Sequence, residues 1–186
     1  MKTALIIYAD GSEDLEVTAA ADVLTRGGVN VVRATLNNDD KNTDLSYLAH
    51  GTVVKTDGNL SKFLDKTFDV IVIPGGLPGS INCAENNDLI SMLKEQKKSQ
   101  RLIAAICAAP GFVLYDKGII SDTKATCYPG CEKGLNSTSA PVEVSEDGKI
   151  ITAKGPAFAI LFGLKILELL ESKNLADKIA KGMLVI

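Results

Sequence analysis

The chain has 186 residues, 46% of them hydrophobic and 23% charged, with a formal net charge of −3. That length can bury the core of one domain without cross-links, and the slight acidity argues against a nucleic-acid binder, which needs a clustered basic face. Four cysteines, none in a Cys-x-x-Cys pair, give neither a disulfide framework nor a zinc ribbon, and the apolar runs are too short to span a membrane.

The start, MKTALIIYADGSED, turns acidic too early for a secretory signal. A cytoplasmic chain with free thiols is therefore expected, folded as a single domain over residues 1–186. ALIIYA (4–9) and VNVVRATL (29–36) read as strands around a first helix that contains Glu16. Glu13 and Asp14 fall in that helix's opening turn, where acids complement the dipole. Glu16 sits among Leu15, Val17 and Ala19 to Ala21 and is expected to point inward, where burial would raise its pKa.

The stretch NNDDKNTDLSYLAHG (37–51) reads as a polar surface excursion leading into TVVKT. It carries His50, the only histidine. As an exposed side chain far in sequence from any nucleophile, His50 is expected to be ordinary surface; as a base it would be the one candidate for a triad. DVIVIPGG (69–76) and RLIAAIC (101–107) are central strands, apolar enough to be covered on both faces. Lys94, Lys97, Lys98 and Arg101 close the helix NNDLISMLKEQ and read as a solvated helix end. PVEVSEDGKIITA alternates around Asp147-Gly148, a hairpin signal, and Gly155-Pro156 opens a long apolar helix followed by NLADKIAKGM.

Strands alternating with helices predict an α/β fold with a mostly parallel central sheet between helical layers and an appended β-hairpin. In such sheets function gathers beyond the carboxyl ends of the strands, where the strand order reverses. Two readings of AAICAAPG (104–111) stand side by side. Cys107 packs as a small hydrophobe, or it is a nucleophile on a sharp strand-to-helix turn, with alanines at 104, 105, 108 and 109 leaving it uncrowded. A helix starting at Ala108 would draw the thiol pKa down, to about 5.5 within the known range. Gly75 and Gly76 would offer N–H groups to an oxyanion, or simply form a tight turn. No G-x-G-x-x-G or Walker A pattern is present, and one histidine with Cys127-x-x-x-Cys131 falls short of a metal-ligand set.

Taken together, AAICAAPG, GSEDLE after the first strand and VIVIPGG resemble the DJ-1/PfpI (ThiJ) superfamily, and within it the DJ-1 and YajL-like branch. Arg26-Gly27-Gly28 and Lys154-Gly155-Pro156 extend the resemblance over the whole length. It implies a flavodoxin-like three-layer sandwich and a homodimer, with Cys107 as the oxidation-prone nucleophile, Glu16 as its protonated partner, and Gly75 and Ala108 as oxyanion donors. Asp22 and Arg26 match positions near the dimer contact, and His50 matches a position where relatives often carry a basic residue. KATCYPG departs from the family by placing Tyr128 where many relatives have histidine; tyrosine is a poor base at neutral pH, which leaves proton transfer to Glu16. The resemblance implies cofactor-free action on small reactive aldehydes such as methylglyoxal and glyoxal, or on glycated adducts, with redox sensing or chaperone action through Cys107 as the alternative. Neither a metal nor a cofactor is expected.

Overall fold

The computed structural model describes residues 1–36 and 42–185. β1 (Thr3–Ala9) leads into α1 (Asp14–Arg26) and then β2 (Asn30–Leu36). β3 (Leu45–Tyr47) and β4 (Val53–Lys55) follow, then β5 (Gly58–Asn59) and β6 (Val70–Ile73). Next come α2 (Leu77–Glu85), α3 (Asn87–Lys98) and β7 (Leu102–Ile106). β8 (Val142–Val144), β9 (Ile150–Ala153), α4 (Ala159–Leu170) and α5 (Lys173–Gly182) complete the order.

The seven-stranded sheet runs β5-β2-β1-β6-β7-β9-β8, all pairs parallel except β8 with β9. The β8–β9 pair is the hairpin that Asp147-Gly148 signalled. Because β2 lies on one side of β1 and β6 on the other, strand order reverses between β1 and β6. Their carboxyl ends open on the crevice in which such sheets place their chemistry.

Strand alternation divides the core in two. Ala4, Ile6 and Tyr8 of β1 face a cluster with Val17, Ala20 and Leu24 of α1 and Phe162 and Leu167 of α4. Leu5, Ile7 and Ala9 face the opposite cluster, with Cys83 of α2 and Leu89 and Leu93 of α3. Each strand of this kind is apolar on both faces because both are covered, and each large side chain so buried contributes about 1.5 to 3 kcal/mol. The three layers follow directly: α1, α4 and α5 on one face, and α2 and α3 on the other.

Three segments differ from expectation. The polar excursion contains β3, which pairs antiparallel with β4 as a ribbon outside the main sheet; residues 37–41 of the excursion lie outside the described residues. After Cys107 the chain forms a wide π-type turn over Pro110–Tyr115 rather than an ordinary helix beginning at Ala108. The long apolar helix starts only at Ala159, after a 3-10 turn over Pro156–Phe158. Among the described residues no helix is long and apolar enough to cross a membrane. Lys97 and Lys98 do close α3, and Lys97 caps the Ile119 carbonyl.

Candidate active site

Cys107 follows β7 directly and takes φ 64°, a left-handed conformation that a side chain with a Cβ pays to adopt. The strain turns the chain sharply out of the sheet. Its N–H is held by the Ala153 carbonyl of β9 at 2.9 Å. Its carbonyl accepts the Tyr128 N–H at 2.8 Å and the Cys127 thiol at 3.1 Å. The residue is 8% exposed, so little of it meets solvent.

Pro74-Gly75-Gly76, at the end of β6, forms the wall beside it. A Cβ on Gly75 would stand 2.4 Å from the Cys107 Cβ and 2.7 Å from Glu16 Oε2, so only glycine fits between thiol and carboxyl. Gly76 has φ 79° and abuts the Gly11 carbonyl, which again excludes a side chain. The Gly75 N–H donates to Glu16 Oε2 at 2.7 Å. The expectation that this amide serves as an oxyanion donor is therefore corrected, because it is already engaged by Glu16. The N–H groups that face the sulfur are those of Gly76 and Ala108.

Glu16 enters from the first turn of α1 and is 1% exposed. The turn is fixed by Glu13, whose side chain caps α1 by accepting the Glu16 N–H at 2.9 Å while its own N–H donates to the Gly75 carbonyl at 3.1 Å. From the sequence Glu13 reads only as a dipole-complementing acid; its tie to the Gly75 loop, 62 positions along the chain, has no local sequence signal. Glu16 Oε1 is buried without a hydrogen-bond partner.

Burial raises the Glu16 carboxyl to about 7, opposed by the Gly75 hydrogen bond and assisted by the negative charge of Glu13. Burial, then the charge on Glu16, pushes the Cys107 thiol up to about 12, while the Gly76 and Ala108 N–H groups pull it down. The direction is opposite to that expected from the elbow position alone. A helix-start position favours the sulfur anion, but here the residue is buried and its charged neighbour is an acid. Thiol and carboxyl resist a second negative charge between them. A carboxyl with a raised pKa can accept a proton from such a thiol more readily than an exposed glutamate can. Thiol, carboxyl and amide N–H groups are thus gathered around Gly75.

The remaining candidates lie apart from this contact. His50 is 72% exposed at its side chain and approaches Glu13 Oε1 at 3.9 Å, while its N–H donates to Asp14. It stands at the rim, reaching the site only through Glu13. Tyr128 is 47% exposed, with its ring against Gly155, whose Cβ position is 3.2 Å from Tyr128 Cδ2. Asp22 and Arg26 pair with each other at 2.8 Å across one turn of α1; at about 1.5 Å per residue they stand roughly 9 and 15 Å along the helix from Glu16. Among the described residues no group of three or more His, Cys, Asp or Glu side chains is placed to hold a metal ion.

The comparisons with known proteins agree with this arrangement in extent. A model of the DJ-1/PfpI family matches residues 2–169. Protein dj-1beta of Drosophila melanogaster is 38% identical over 187 residues, covering 99% of this chain and 97% of that protein. The glutathione-independent glyoxalase DJR-1.2 of Caenorhabditis elegans is 37% identical over 188 residues, covering 98% and 96%. A solved structure described as Toxoplasma gondii DJ-1, oxidized, has a TM-score of 0.93 at 37% identity, covering 99% of this chain and 98% of the other. With the family model and these relatives matched along nearly the whole length, this chain belongs to the DJ-1/PfpI family.

Proposed function

We propose that the protein is a cofactor-independent cysteine enzyme that converts 2-oxoaldehydes such as methylglyoxal and glyoxal to hydroxy acids, and that acts by the same chemistry on early glycated adducts. The observation that carries this reading is that the Cys107 sulfur and the Glu16 carboxyl border the same face of Gly75, with the Gly76 and Ala108 N–H groups turned to the sulfur. The similarity to a glutathione-independent glyoxalase supports it.

As Sγ attacks the aldehyde carbon, Glu16 takes the thiol proton, and the oxygen that gains charge is stabilised by the Gly76 and Ala108 amides. Glu16 returns that proton to the oxygen, which gives a hemithioacetal and frees the carboxylate to act as base. Glu16 then moves a proton from the former aldehyde carbon to the adjacent carbonyl carbon, through an enediol, giving a thioester. Water cleaves the thioester, releasing the hydroxy acid and the free thiol. The balance is one oxoaldehyde and one water in, one hydroxy acid out. A homodimer in the cytoplasm, folded as one domain over residues 1–186, belongs to the same proposal.

The second reading, a redox sensor, is favoured by the same amides and carboxyl, which are arranged to receive the oxygens of a sulfinate on Cys107. One experiment separates the two. Purified protein given methylglyoxal without any thiol cofactor yields lactate, and Cys107→Ser and Glu16→Gln each remove that activity. Absence of lactate from the wild type, with peroxide adding two oxygens selectively at Cys107, overturns the enzymatic reading in favour of the sensor.

A further inference from the structure

Cys127 lies directly behind Cys107 and Cys131 follows it by one tight turn; the proposed chemistry uses neither thiol. Cys127 is 1% exposed and donates its S–H to the Cys107 carbonyl at 3.1 Å. Tyr128-Pro129-Gly130-Cys131 then forms a tight turn, closed by the Cys131 N–H donating to the Tyr128 carbonyl at 3.0 Å. Such a turn brings its ends within about 7 Å, so Cys131 returns beside the residue that follows Cys127. Both converge on Gly111. The Gly111 N–H faces the Cys127 sulfur, and the Cys131 carbonyl lies 1.9 Å from the place a Gly111 Cβ would occupy. The Cys131 backbone takes up the space that a side chain at Gly111 would need, so the two cysteines border the same glycine. Cys131 packs against the same core cluster that contains Cys127, yet remains partly exposed.

We propose that Cys127 and Cys131 form an intramolecular disulfide under hydroperoxide, a modification site separate from Cys107. The exposed member reacts first: the Cys131 thiolate attacks the peroxide O–O bond, giving Cys131 sulfenic acid and an alcohol or water. The Cys127 thiol then attacks that sulfur, forming the S–S bond and releasing water. Two electrons pass from the thiol pair to the peroxide. Cys127 needs no solvent access, because its partner arrives on its own chain. Partial burial and Glu132 hold the Cys131 thiol above its ordinary value, with Lys133 opposing, so the first step quickens as pH rises. Formation of the bond removes the S–H donor from the Cys107 carbonyl and ties down the turn behind the strained elbow, which couples the oxidation state of the pair to the reactivity of Cys107. None of this requires that the protein turn over an aldehyde.

Trypsin isolates the pair conveniently, because Lys124 and Lys133 bracket residues 125–133, a fragment without Cys83 or Cys107. The full chain is exposed to tert-butyl hydroperoxide, alkylated, digested and weighed. The expected fragment lacks two hydrogens and carries no alkyl group, in the wild type and in Cys107→Ser alike, and a phosphine reductant restores both alkylation sites. Cys131→Ser leaves Cys127 reduced and alkylated after unfolding. Double alkylation of the fragment after peroxide has oxidised Cys107, or a cross-link between Cys107 and either cysteine in place of the internal one, overturns the proposal. Dependence of the internal bond on Cys107 also overturns it, since the pair would then be a relay from the nucleophile.

Discussion

Glu16→Gln removes a buried ionisable group while keeping its volume and an oxygen able to accept the Gly75 N–H. In the folded protein burial raises the carboxyl from 4.5 to about 7. Between those values the native state holds a proton that the unfolded chain has released, so this group makes the wild type less stable as pH rises from about 4.5 to about 7, and its effect is constant above that. The whole displacement corresponds to about 3 kcal/mol. Glutamine does not titrate, so the variant escapes this loss. Near pH 5 the stability difference between variant and wild type is small or set by the fit of the amide; by pH 8 it shifts by up to about 3 kcal/mol in favour of the variant, or roughly 6 to 12 °C in Tm. Urea unfolding of both proteins at pH 5, 6, 7 and 8 measures the difference, in which every other titrating group cancels. The same difference at all four values refutes the reasoning, because Glu16 would then hold no extra proton in the native state. The gain in stability accompanies loss of turnover, as expected where a strained, buried site serves chemistry.

Three further outcomes test other parts of the structure. Gly75→Ala places a methyl 2.4 Å from the Cys107 Cβ, and the forced shift costs about 1 to 3 kcal/mol; a thermal melt and a large fall in the rate of Cys107 alkylation check it. Gln96 is 1% exposed and donates to the Phe68 and Leu102 carbonyls, both at 3.0 Å. Gln96→Leu orphans two buried acceptors at about 1 to 3 kcal/mol each, read by urea unfolding, with Cys107 alkylation unchanged because the lesion lies at the amino ends of β6 and β7. His50→Ala is expected to leave lactate formation within about twofold of wild type, as its side chain is mostly exposed; a loss of tenfold or more would make His50 the base and displace Glu16 from that role.

Much of this was legible without coordinates because it is local. ALIIYA announced β1, the apolar runs of β6 and β7 announced strands covered on both faces, Asp147-Gly148 announced the β8–β9 hairpin, and Cys107 between small residues announced a sharp turn. Three elements gave no such announcement. β5 is Gly58-Asn59 at a sheet edge, with no apolar pattern to read; α2 begins Leu77-Pro78-Gly79, a composition that argues for a loop; β3 lies in a polar stretch and pairs only because β4 folds back on it.

At the site, residue identity was set by the sequence and its use by the fold. The motifs named Cys107, Glu16, Gly75 and Gly76, but which amide serves the sulfur and which the carboxyl depends on the meeting of Glu16 and Gly75, 59 residues apart. The thiol's titration has the same origin. A position just before a helical turn is visible in the primary structure and favours an anion. The depth of burial and an acidic neighbour are properties of atoms packed from distant segments, and here they outweigh it. A linear pattern encodes which groups are available, whereas solvation is fixed only when the whole chain closes around them.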